Sequence, residues 1–291
     1  MRALSPVLAL VIAIVLGAAM DATIKHLGNS NHILLVALGR YAFGAAFSMI
    51  AYAHAGMPRI TPPMWRVHGL RGLVTTFAGT GFFWSITVLP LAEAVTYSFV
   101  GVLLIPFAAR VIAGETLRPS SLAAGVIGFV GVGIAASGAP NASESPLHAW
   151  GVVAVLVSAA LFAVSMALLR LRAAIDGAPA VSLLSSLVPA LILVVPTSVF
   201  ATPPNLSDWP VFLLMGLFAA AFMYMMARAY AHAEAQQLAP IHYSELLWAS
   251  VIGYFIFSEL PRPQIYLGAV LIVAAGLLAA WDERRLTRAR S

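Results

Sequence analysis

Several ionisable residues of this chain stand inside apolar runs, where a charge is costly and by default marks a functional site. Asp21 and Lys25 lie four residues apart in one such run, Arg40 lies about two turns into the next, and Glu245 follows His242 and Tyr243 in a third. At a spacing of four, Asp21 and Lys25 can pair on one helix face. Arg40, at a similar depth, could offer Asp21 a two-pronged contact. These three read as an outer gate, or as a cluster that recognises carboxylate and ammonium groups. The structural alternative is an ion pair tying two helices together. Arg228, one turn before His232, reads with His242 and Glu245 as the corresponding inner gate; here the alternative is a polar contact between packed helices. Glu245 is also the candidate proton-coupling carboxylate, since intramembrane acids serve as proton relays. His242 alone reads more simply as a hydrogen-bonded core residue.

Aromatic residues supply the second kind of chemistry. Phe82, Phe83, Trp84, Tyr97, Phe99, Phe162, Tyr224, Tyr243 and Trp248 fall in mid-run positions. Rings around a cavity would hold apolar side chains, and a cation over a ring face. Trp84, Tyr97, Phe162, Tyr224, Tyr243 and Trp248 are the expected substrate-contacting residues. Trp65, Trp150, Trp209 and Trp281 lie at run ends and read as interface anchors. Glu115 and Glu259 each precede an arginine by three residues, in Glu-x-x-Arg-Pro, which suggests a local turn-closing pair. Glu93 and Glu234 read as carboxylates at helix N-termini.

Enzymatic chemistry is excluded by its missing parts. There is no cysteine, no Gly-x-Ser-x-Gly, no His-Glu-x-x-His and no Asp-x-x-Asp. His232 and Glu234 share a His-x-Glu spacing, but residues two apart face away from each other on a helix. No Walker A sequence occurs, and Lys25 is the only lysine, so ATP binding by that motif is excluded. No cofactor or metal is expected.

The elements that must position these residues follow from composition. Of 291 residues 61% are hydrophobic and 9% charged, with a mean hydropathy of +0.94. A soluble domain carries about a quarter charged residues, so a water-soluble globule is excluded. Ten apolar stretches are each long enough for a membrane helix of about 20 residues. They lie near 7–25, 33–53, 70–89, 94–113, 120–138, 149–169, 179–200, 209–231, 238–258 and 264–281. The first is too long for a signal-peptide core and has no clear cleavage site, so it reads as a span. With the N-terminus in the cytoplasm, Arg2, Arg59, Arg66, Arg71, Arg110, Arg118, Arg170, Arg172, Arg228 and the arginines of 284–290 fall at inner ends. Only Lys25, Arg40 and Arg262 fall outward. This bias predicts both termini in the cytoplasm. It also explains the net charge of +5 without a nucleic-acid partner.

The two halves repeat. Ala92-Glu93-Ala94 matches Ala233-Glu234-Ala235, Glu115-Thr-Leu-Arg118-Pro119 matches Glu259-Leu-Pro-Arg262-Pro263, and Gly125 and Gly133 match Gly268 and Gly276. Five spans per half make the repeats, 1–140 and 141–291, inverted in the membrane. That is the pattern of a secondary transporter with its site between the halves. The glycine-rich spans five and ten read as scaffold helices or a dimer face.

Leu89-Pro-Leu-Ala-Glu-Ala94 through Ala113-Gly-Glu115, and Leu238-Ala-Pro-Ile-His-Tyr243 through Phe257-Ser-Glu259-Leu-Pro261 with Gly268–Gly276, resemble the paired motifs of EamA-type carriers of the drug/metabolite transporter superfamily. The resemblance extends to bacterial exporters of aromatic and other amino acids and covers the whole chain. It implies an all-α, ten-helix basket of two inverted five-helix repeats in a bacterial inner membrane. It implies export of amino acids or related small metabolites by alternating access. A carrier of cationic drugs, exchanging them for protons, is the alternative. One feature departs from the family: mid-span four lacks its usual proline near Val102 and has Pro106 instead.

Overall fold

A computed structural model describes residues 5–117, 119–137, 146–233, 238–259, 263–264, 266–271 and 273–275. Of residues 121, 124, 132, 135–137, 146, 239, 240 and 243 it describes the backbone alone. The long helices are α1 (Pro6–Gly28), α2 (Ile33–His54), α3 (Pro62–Val88), α4 (Leu91–Ala113), α5 (Pro119–Ser137), α6 (Pro146–Asp176), α7 (Ala178–Phe200) and α8 (Trp209–His232). A 3₁₀ segment, Ala239–Ser244, runs into α9 (Glu245–Phe257), and a shorter apolar helix follows at Tyr266–Ala275. No strand occurs among the described residues. The protein is an all-helical polytopic membrane protein. Six helices, α1, α2, α4, α6, α7 and α8, are long and apolar enough to cross a bilayer.

Local chemistry sets the ends. Ser5 caps α1 by accepting the Leu8 amide at 3.2 Å, and Pro6 takes the first helical position, where its missing N–H costs nothing. Pro62 and Pro63 open α3 in the same way. This start is eight residues before the stretch at 70–89 and places Arg71 well inside the helix. α4 and α9 both end on a left-handed residue, Gly114 (φ 70°) and Ser258 (φ 55°). There the amides of Glu115 and Glu259 turn back to Ala109 O and Gly253 O. α9 is shorter than the apolar stretch at 238–258. Pro240 has no amide to donate, and the chain runs as 3₁₀ until Glu245. At 1.5 Å per residue its 13 residues span about 20 Å, two thirds of the ~30 Å hydrocarbon. α4, by contrast, stays helical through Val102 and carries Pro106 within it.

Packing follows a regular scheme. α1 lies along α8 and α3 along α6; α2 lies along α7; α2 also packs on α8, and α7 on α3; α4 packs on α6 and α9 on α1. Two contacts are made close by glycine. A Cβ on Gly216 of α8 would stand 2.2 Å from Phe43 Cβ of α2, and one on Gly101 of α4 would stand 2.6 Å from Ala159 O of α6. Trp65, Trp150 and Trp209 are exposed at helix ends, where interface anchors belong. Trp281 lies outside the described residues.

Candidate functional site

One face of each inner helix converges on a central cavity of about 150 Å³, room for about ten waters. From α3, Arg71, Thr75, Ala78, Gly79, Phe82 and Phe83 line it. Their spacing of three and four marks a single helical stripe. α1 gives Asp21, α2 Arg40 and Tyr41, α6 Ser158, Phe162 and Ser165, α8 Phe222 and Met223, the 3₁₀ segment His242, and α9 Glu245. The wall is therefore aromatic and apolar, with two carboxyl and two guanidinium groups set into it.

Arg40, buried, lays its guanidinium 4.2 Å from the Tyr41 ring centroid and 5.5 Å from that of Phe83. Its Nε donates to Met20 Sδ at 3.4 Å. Tyr41 in turn donates to Thr75 O at 3.1 Å. Arg71 is 1% exposed. Its Nε donates to Ser165 O at 3.2 Å, Nη1 to Ser185 Oγ, and Nη2 to Met223 Sδ at 3.8 Å. Among the described residues neither arginine has a carboxylate within ion-pair distance. Asp21 and Glu245 are electrostatic neighbours, and Asp21 also feels Arg40; the neighbours of Arg71 include Tyr41, Arg40 and His68. His242 Nε2 meets the Tyr230 hydroxyl at 3.2 Å, and its ring meets Phe162 edge-on at 6.0 Å.

Two further ion pairs lie outside this lining. Lys25 Nζ is 2.6 Å from Glu259 Oε1 and donates to Leu89 O at 2.9 Å, while Glu259 Oε2 accepts the Leu91 amide at 2.9 Å. This latch ties α1, the end of α9 and the α3–α4 turn. Arg170 Nε is 3.1 Å from Glu115 Oε1, and its Nη1 donates to Tyr230 O at 3.1 Å. That latch ties α6, the end of α4 and α8. The left-handed caps at Gly114 and Ser258 set each glutamate one residue past its cap.

Asp21, Arg40, His242, Glu245 and Phe162 line one cavity, where two separate gates were expected. The other expected residues stand elsewhere. Lys25 does not pair with Asp21; its partner is Glu259, far along the chain. Glu115 pairs with Arg170, a link between helices; the expected local turn pairs involve Arg118 and Arg262, which lie outside the described residues. The Tyr97 hydroxyl donates to Glu93 at 3.0 Å, within helix packing and next to His148. Tyr97, one residue before the cavity residue Ser98, faces about 100° away from it on the helix. Trp84 follows Phe83 off the α3 stripe, and Tyr224 follows Met223 off that of α8; neither lines the cavity. Trp248 packs against the cluster around Leu10, Ile14 and Met226. Arg228 gives its carbonyl to His232 Nδ1 at 2.9 Å and is not among the lining residues. The side chain of Tyr243 and the whole of Glu234 are outside the described set. The residue sequence reasoning missed is Arg71, counted there as an inner-end charge. The two prolines at 62–63 were the signal that the helix starts earlier and carries Arg71 inside.

Comparison with known proteins gives matches of three kinds: a family, relatives and a solved structure. The model of the EamA-like transporter family matches the chain twice, over residues 4–137 and 149–281. The S-adenosylmethionine uptake transporter of Rickettsia bellii is 24% identical over 94% of this chain and 92% of its own. The riboflavin transporter of Rhizobium johnstonii is 26% identical over 87% of this chain and 82% of its own. A solved crystal structure superposes with a TM-score of 0.74 at 22% identity, over 97% of this chain and 98% of that one, and so shares the fold.

Proposed function

The chain belongs to the EamA-like transporter family, a membrane transporter and not an enzyme, and from that premise we propose that it is a secondary carrier of amino acids and related small metabolites, working by alternating access. The observation that carries this reading is the central cavity, where two carboxyl groups, and two guanidinium groups with no carboxylate within ion-pair distance among the described residues, are set among aromatic rings. Such a wall suits a small molecule with charged and apolar parts. The relatives named for S-adenosylmethionine, itself an amino-acid derivative, add support.

In this reading the chain forms ten spans in two inverted repeats, 1–140 and 141–291, with both termini in the cytoplasm of a bacterial cell. The packing supports the repeat. Exchanging each helix with the one five places on turns α1–α8 into α6–α3 and leaves α2–α7 in place. The latches support it too. Lys25 and Arg170, Glu259 and Glu115, and the carbonyls of Leu89 and Tyr230 are related pairs, separated by 145, 144 and 141 residues. Inversion puts one latch near each membrane face. Opening one while the other stays shut exposes the cavity to one side at a time. A carrier of this type moves cargo either way, and gradients set net export or uptake.

A second reading is a carrier of cationic metabolites, favoured by Asp21 and Glu245 facing an aromatic cavity. Reconstituted protein tests both. Saturable counterflow of several amino acids, without an imposed gradient, supports the first. Flux of organic cations alone, with no amino acid carried, replaces it with the second.

A further inference from the structure

We propose that Arg71, with Arg40 beside it, is a carboxylate-binding subsite, so that the cargo carries a carboxylate on an apolar or aromatic body. This rests on the cavity being the cargo site. Arg71 lies nine residues into α3, about 13 Å along its axis. It is 1% exposed and lines the cavity. Three helices hold it: α6 through Ser165 O, α7 through Ser185 Oγ and α8 through Met223 Sδ. All three partners are neutral. They fix the plane of the guanidinium and leave its charge in place. A guanidinium carries five N–H donors, and the three contacts leave donors of both terminal nitrogens for a ligand.

The carboxyls of the cavity do not serve as its counter-ion. Among the described residues no carboxylate lies within ion-pair distance of Arg71; its charged neighbours are Arg40 and His68, one turn before it on α3 and itself paired with Asp176. An intramembrane cation beside a second cation is costly without an anion. A ligand carboxylate supplies one, in the two-pronged geometry that a held guanidinium favours. The aromatic wall next to it takes the body of the cargo: Phe82 and Phe83 on the same α3 stripe, and Phe162 opposite on α6. Asp21 and Glu245, on the wall of the same cavity, then face the cationic end of a zwitterion.

The test uses purified full-length protein in detergent and compares three carboxylates with their primary amides: L-phenylalanine, L-methionine and benzoate. Thermal midpoints are read with and without each. The expected result is a carboxylate-specific rise of about 2–4 °C at saturating ligand. The amides should give a markedly smaller rise. Arg71→Gln should remove the difference, and Arg71→Lys, which keeps charge without the planar fork, should reduce it severalfold. Equal shifts for acid and amide in the wild type overturn the proposal, and so does a preference unchanged in Arg71→Gln. The wild-type comparison stands even where a variant does not fold. Counterflow of the same compounds separates the two readings. Flux without acid preference sinks this subsite and leaves the carrier. A carboxylate-specific shift with no flux of any compound keeps the subsite and sinks the amino-acid carrier.

Discussion

At the residue scale, the cavity divides its polar groups into two kinds, those held by protein partners and those left facing in. Asp21 and Glu245 make no side-chain hydrogen bond or ion pair among the described residues, whereas His242 is engaged by Tyr230. The carboxyls are therefore the groups free to carry a proton. Glu245→Gln is expected to abolish transport driven by a pH gradient while sparing exchange of cargo. Retention of full pH-driven accumulation in proteoliposomes counts against that role. The rings divide by helix face. Phe162→Ala should weaken aromatic cargo about tenfold, while Trp84→Ala, off the lining stripe, should change it less than about twofold. Paired KM measurements on aromatic and aliphatic cargo check this. The types of these residues were legible in sequence; their facing was not. Hydropathy treats Phe83 and Trp84 alike, and only the helix rotation of 100° per residue tells them apart. Lys25 misleads for a related reason. Its nearest acid along the chain is Asp21, but its partner Glu259 is brought to it by folding.

At the element scale, the latches and caps carry the argument. Ser258 occupies a left-handed conformation where the first half has Gly114. A side chain costs about 1–2 kcal/mol there, so Ser258→Gly should raise stability by up to about that amount, read as a higher thermal midpoint. Gly101→Val should do the opposite. Its Cβ meets backbone 2.6 Å away, which no rotamer change relieves, and overpacking costs about 1–3 kcal/mol. A midpoint unchanged within error would show that α4 and α6 can separate freely. The positions of six spans were legible because about 20 apolar residues announce a membrane helix. Helix starts were less so. Pro62-Pro63 lengthens α3 inward past the apolar stretch, and Pro240 turns the first part of another stretch into 3₁₀ helix. The first shift conceals Arg71 and the second conceals how Glu245 stands at a helix start inside the bundle.

At the scale of the whole molecule, the two latches are both closed, and each joins elements from both halves of the chain. Breaking a partly buried pair shifts a two-state balance by an amount between that of exposed and buried pairs, about 1–2 kcal/mol. That is a factor of roughly 5–30 in population. Glu259→Gln and Glu115→Gln should bias the carrier towards opposite faces, and the two together should give a molecule that leaks. Unequal half-rates of counterflow from the two sides would check the single variants. The pair of Lys25 and Glu259 has one more consequence. Because Lys25 is the only lysine and there are no cysteines, a single side-chain amine is present in the protein. It is engaged by Glu259 and Leu89 O while the latch is shut. An amine-directed acylating reagent is thus a clock on the carrier: the rate of modification at residue 25 should follow the fraction of time spent unlatched, with no engineered label and no competing lysine.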